Sequence, residues 1–67
     1  MNIKQWLDST IQKGLFVSEY LWIRDNMPEK NVYEWAMSTR DNHIFESFLY
    51  QALTKVLEGF DNGEIQR

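Results

Sequence analysis

The sequence predicts a single all-α domain, a small bundle of about four short helices in which the C-terminal helix is central. One observation is the run of apolar side chains at helical spacing within residues 42–60. A second is the placement of Asn, Asp, Gly and Pro between apolar segments, where these residues cap or end helices. A third is size: 67 residues without cysteine can build one modest core, which no disulfide or thiolate metal site stabilises.

The first helix is predicted over residues 3–13. Its apolar positions follow the spacing of one helix face: Ile3, Trp6, Leu7 and Ile11. Asn2 is placed to cap the N-terminus, and Gly14 is placed to end the helix in a left-handed conformation.

The second segment is open to two interpretations. Its β-branched and aromatic residues favour a strand over residues 15–23, which would give an α/β fold. A helix over residues 16–27 is favoured instead, since one strand alone would leave its backbone groups unpaired. The apolar residues of this helix recur every three to four positions: Phe16, Tyr20, Ile23 and Met27. Pro28 disfavours helical backbone at the preceding residue and so ends the helix.

The third helix is predicted over residues 29–39, with two possible starts. Asn26 with Glu29, or Asn31 with Glu34, could form a reciprocal capping box. Both pairs have the required spacing, so the pattern leaves the choice open.

The last helix is predicted over residues 42–58, with Asp41 or Asn42 as its cap. Gly59 followed by Phe60 matches a Schellman stop. Residues 1–60 would then form the helical domain, and residues 61–67 a polar C-terminal tail that frays.

The apolar residues of this last helix are too many for one buried face. Nine of them lie between residues 44 and 60: Ile44, Phe45, Phe48, Leu49, Ala52, Leu53, Val56, Leu57 and Phe60. At ~100° per residue they spread over roughly 220° of the helix, far more than the stripe that covers one side of a core. We therefore expect Phe48 and Leu49 to be core residues, and another polypeptide surface to cover what three short helices leave exposed.

Charge disfavours direct binding to nucleic acid. Seven Lys and Arg against ten Asp and Glu give a net charge of −3, and neither sign is clustered along the chain. Non-specific affinity for nucleic acid depends on a basic surface. A helix-turn-helix regulator stays the alternative function, because small helical bundles often bind DNA, with residues 31–39 as the recognition helix.

No pattern in the chain indicates catalysis, a metal or a cofactor. His43 is the single histidine, and with no cysteine present a zinc site lacks further nitrogen or sulfur ligands. We expect no enzyme activity, no small-molecule substrate and no cofactor. The most apolar window, residues 15–23, is shorter than the ~20 residues of a membrane-spanning helix. No signal peptide is recognised, so a cytoplasmic location is expected.

The aromatic content indicates protein binding. Aromatic residues make up 15% of the chain, and folding hides only about 62% of the surface of a chain this small. Exposed Trp and Tyr are enriched at the energetic centres of interfaces, so the expected partner-binding residues are Trp22, Trp35 and Tyr50. We expect a small acidic protein-binding module, self-associating as a homodimer, that acts as a regulator, adaptor or inhibitor by occupying a partner protein's surface.

Overall fold

A computed structural model describes all 67 residues as four α-helices without a strand. The helices are α1 (Ile3–Ile11), α2 (Val17–Asn26), α3 (Val32–Asp41) and α4 (Phe48–Asp61). They hold 64% of the residues, which confirms the predicted small all-α bundle. The strand considered for residues 15–23 is wrong, because α2 begins at Val17 and runs through that segment.

The C-terminal helix is central, as predicted. α4 packs against both α2 and α3, while α1 packs against α2. Six of the twelve buried residues belong to α4: Ala52, Leu53, Val56, Leu57, Gly59 and Phe60. The predicted inner face of α2 is also confirmed, because Tyr20 and Ile23 are buried in the hydrophobic core.

The first helix begins as predicted. The Asn2 side chain accepts a hydrogen bond from the Gln5 amide at 2.9 Å, and the Gln5 side chain accepts one from the Asn2 amide at 3.1 Å. This reciprocal capping box satisfies two amides that the helix itself leaves free. α1 ends at Ile11, two residues earlier than predicted, and the chain turns at Gly14 with a φ of 84°.

The third helix begins at Val32, so the predicted start at residue 29 is wrong. Pro28 does end α2 as expected, because Met27 before it is extended. Neither predicted capping box forms. Asn31 occupies the N-cap position with a φ of 59°, and its side chain makes no capping hydrogen bond. An N-cap side chain reaches the helix amides from extended backbone, which Asn31 does not adopt.

The largest correction concerns the start of α4, which lies at Phe48 rather than at residue 42. Asn42 is instead the C-cap of α3, and the His43 Nδ1 donates to the Thr39 carbonyl at 2.7 Å just beyond it. Ser47 caps α4, since its hydroxyl oxygen accepts a hydrogen bond from the Tyr50 amide at 3.2 Å. Residues 42–47 thus form an irregular connection between the two helices.

The C-terminal residues correct two further expectations. Gly59 lies inside α4, and the left-handed glycine that follows the helix is Gly63, with a φ of 85°. The last residues pack against the bundle: Ile65 is 2% exposed, and its amide donates to the Gly59 carbonyl at 2.9 Å. The tail also contacts the N-terminus, where the Gln66 amide donates to the Met1 carbonyl at 2.9 Å.

Candidate interaction surface

Two connections of the bundle bring exposed apolar side chains together. Leu15 is 70% exposed, Ile44 82%, Phe45 70% and Phe48 67%. The half-buried Phe16 joins the two connections, because its ring lies 5.8 Å from the Phe48 ring, centroid to centroid. We call Leu15, Phe16, Ile44, Phe45 and Phe48 the apolar loop surface.

This surface is large for a molecule of its size. Phe45 and Phe48 alone expose roughly 200–350 Å², given the area that an aromatic side chain carries. Single exposed apolar residues are ordinary, whereas a joined patch of several hundred Å² marks an interaction site. The expectation that Phe48 is a core residue is wrong, because its side chain is 67% exposed, and Leu49 is half-buried at the edge of the core.

The backbone of both connections is held in defined turns. Phe16 and Glu46 adopt left-handed conformations, with φ of 55° and 62°, each at a cost of ~1–2 kcal/mol for a residue with a side chain. Hydrogen bonds fix the second turn: the Ser47 amide donates to the Ile44 carbonyl at 3.0 Å, and the Gln51 side-chain amide donates to the Glu46 carbonyl at 2.8 Å. Ile44 and Phe45 are therefore presented by an ordered turn.

The structure brings two of the three predicted partner-binding residues together. Trp22 of α2 stacks on Trp35 of α3, with ring centroids 6.1 Å apart and ring planes 20° apart. Trp22 is 40% exposed and Trp35 is half-buried. The His43 ring meets the Trp22 ring edge-on at 6.3 Å, so the pair contacts the connection that carries Ile44 and Phe45.

Tyr50 lies apart from the tryptophans but beside the apolar loop surface. Its half-buried ring contacts the Phe45 ring at a centroid distance of 5.1 Å. The Arg40 guanidinium lies over the same ring at 5.4 Å. The Tyr50 ring therefore packs against Phe45. Three of the most exposed apolar residues, Ile44, Phe45 and Phe48, are ones that the sequence pattern had assigned to the last helix. Ser47 was the available signal for them, since a serine before an apolar helix is a preferred cap.

The two connections each carry a charge that forms no ion pair, and the two charges are of opposite sign. Lys13 lies in the connection that carries Leu15, and Glu46 lies in the connection that carries Phe45. Neither side chain joins an ion pair or a hydrogen bond. The ion pairs of the molecule lie elsewhere: Asp8 with Arg24, Glu34 with Arg67, Arg40 with Asp41, and Lys55 with Glu58.

A groove on the other flank of the molecule offers less. It has a volume of about 440 Å³ and lies between residues 29–34 and the C-terminus. Three of its polar side chains already have partners: the Tyr33 hydroxyl donates to Asp61 at 3.1 Å, and Arg67 lies over the Tyr33 ring at 4.1 Å while pairing with Glu34 at 3.2 Å.

Two tyrosines have raised pKa values. Burial raises the pKa of Tyr20 above its ordinary value of 10.0, with the Glu58 charge adding to the effect. The hydrogen bond to Asp61 raises the pKa of Tyr33. Both phenols therefore stay protonated at neutral pH. The chain forms no group of three or more His, Cys, Asp or Glu residues that could hold a metal ion.

None of the four helices has an apolar stretch long enough to span a membrane. Comparisons of this chain with protein-family models, with curated proteins and with solved structures found no match.

Proposed function

We propose that this chain is a non-catalytic protein-binding module that acts as a regulator, adaptor or inhibitor by covering part of a partner protein's surface. The observation that carries the proposal is the apolar loop surface, which the bundle leaves uncovered while its own core is closed. We further propose that the module self-associates as a homodimer.

The composition of the surface supports this proposal. Phe45 and Phe48 are large side chains with few rotatable bonds, so ordering them in a complex loses little conformational entropy. Their burial by a partner would contribute a favourable free energy of about 25 cal/mol for each Å² of apolar area removed from water. Because hydrogen bonds hold the turn at residues 44–47, little further ordering is needed on binding.

The helix-turn-helix alternative gains no support from the charges around α3. In that alternative the first turn of α3 would enter a phosphate-lined groove. Glu34 lies in that turn, and Glu29 precedes it, while Lys30 is the one base between them. Carboxylates at this position would repel phosphates rather than neutralise them.

Site-specific photo-crosslinking in the cells that make the chain tests the proposal. A photoreactive benzoylphenylalanine replaces Phe45, and in a matched control it replaces Met37, which is 38% exposed on α3 outside the apolar loop surface. We expect light to produce protein adducts from position 45 and far fewer from position 37. Equal adduct formation at both positions, or none at position 45, would contradict a protein-binding role for this surface.

A further inference from the structure

Resting on this proposed function, we propose that the protein which covers the apolar loop surface is a second copy of the chain, related by a two-fold axis. Phe45 and Phe48 of each copy pack at the centre of this dimer. Lys13 of each copy faces Glu46 of the other, so that two equivalent ion pairs flank the apolar centre.

The exposed area matches what a dimer of this kind requires. A stable interface covers about 600–1,000 Å² on each partner, and a little over half of that area is apolar. An interface of this type therefore needs roughly 350–550 Å² of apolar surface on each copy. Leu15, Ile44, Phe45 and Phe48 expose roughly 300–500 Å² between them, so they can supply the apolar centre.

The charges favour a second copy over a partner of another kind. In a two-fold dimer each copy uses the same patch, so opposite charges beside that patch can pair twice across the axis. Lys13 lies on one connection and Glu46 on the other, and both are exposed and unpaired. The two connections thus offer charges of complementary sign.

A strongly charged partner would fit this surface less well. An acidic peptide or a phospholipid surface is recognised by an excess of Lys and Arg. The two connections offer one base and one acid, Lys13 and Glu46, and the chain as a whole carries a net charge of −3. Neither this pair of charges nor the net charge favours an anionic surface.

Charge reversal with sedimentation equilibrium of the full chain tests the arrangement. The wild-type chain is expected to sediment at up to twice its 8.1 kDa mass between micromolar and submillimolar concentration. K13E puts acid on both flanks and E46K puts base on both, so each variant replaces two attractive pairs with repulsive ones. We expect each to raise the dimer dissociation constant about 5–50-fold.

Two combinations make the test specific. The double variant K13E/E46K restores opposite charges, and an equimolar mixture of K13E with E46K brings an acidic copy against a basic one. Both should dimerise within about threefold of the wild-type chain. K4E makes the same charge change as K13E, and E29K the same as E46K, at exposed positions outside the two connections, so both should leave the dissociation constant unchanged.

Three results would overturn this arrangement. One is a wild-type chain that stays at 8.1 kDa throughout, another is a charge reversal that weakens association no more than K4E or E29K does. The third is a monomer that binds phosphatidylcholine vesicles, which would assign the surface to lipid. If the chain is monomeric yet position 45 crosslinks to a different protein in cells, the second copy is wrong and the protein-binding function stands.

Discussion

Replacing Leu53 with alanine is expected to lower the free energy of unfolding by about 2–5 kcal/mol. Leu53 is completely buried in the middle of α4, where that helix packs between α2 and α3. The substitution leaves a cavity that the surrounding helices can fill only in part. Because a domain of this size has a total stability of ~5 kcal/mol or a little more, the variant should be largely unfolded at moderate urea concentration. Urea denaturation followed by helical circular dichroism measures the change.

Phe48→Ala is the matched control on the same helix. Its ring is 67% exposed, so at concentrations where the chain is monomeric the loss should be under ~1 kcal/mol. The two variants together test whether α4 starts at Phe48, as observed, or at residue 42, as the sequence predicts. If Phe48→Ala costs as much as Leu53→Ala in the monomer, Phe48 belongs to the core and the apolar loop surface does not exist as described.

Ile65→Ala is expected to lower the free energy of unfolding by about 2–4 kcal/mol, although Ile65 is the third residue from the C-terminus. Ile65 is 2% exposed and packs on Gly59, where a Cβ atom would come within 2.7 Å of its Cδ1. The neighbouring Glu64 accepts a hydrogen bond from the Trp6 Nε1 at 3.0 Å, which holds the tail against α1. Thermal and urea unfolding both measure the loss.

Gln66→Ala separates packing from any general effect of changing the tail. The Gln66 side chain is exposed, and the hydrogen bond to Met1 uses its backbone amide, which alanine retains. We expect a change of at most ~0.5 kcal/mol. A tail that frays in solution would give the same small change for Ile65→Ala, and that result would refute the docked conformation.

The helix boundaries that could be predicted most closely, the start of α1 and the end of α2, have clear local signals. α1 has a cap at Asn2 and an apolar face, and both are found in the structure. α2 ends where Pro28 excludes helical backbone from the preceding residue. In these segments the local hydrogen bonds and the tertiary packing favour the same conformation.

The start of α4 could not be read from apolar spacing alone. Ile44 and Phe45 continue the periodicity of α4, but Asn42 and His43 complete the C-terminus of α3, and Ser47 offers a competing cap. Side-chain hydrogen bonds to the backbone therefore divide an apolar run that periodicity joins. The surplus of apolar residues was visible in the sequence, while its position on the two connections was not.

The end of α4 depends on a tertiary contact that no local pattern contains. Gly59 and Gly63 could each end a helix, and the prediction that Gly59 ends α4 is wrong. Gly59 lies inside α4, where Ile65 packs so closely that position 59 has no room for a side chain.

For the interaction surface, the exposure of Trp22 follows from its place off the inner face of α2. The contact between the Phe16 and Phe48 rings could not be predicted from the sequence, because it depends on how α4 packs against the rest of the bundle.

The central claim is that Phe45 and Phe48 serve association rather than the fold of the monomer. Sedimentation equilibrium of the double variant Phe45→Gln/Phe48→Gln, beside the wild-type chain and Met37→Gln, tests it most directly. We expect the wild-type chain and Met37→Gln to associate, and the double variant to stay at 8.1 kDa with its helical circular dichroism intact. A double variant that associates as strongly as the wild-type chain, or that unfolds, would contradict the claim.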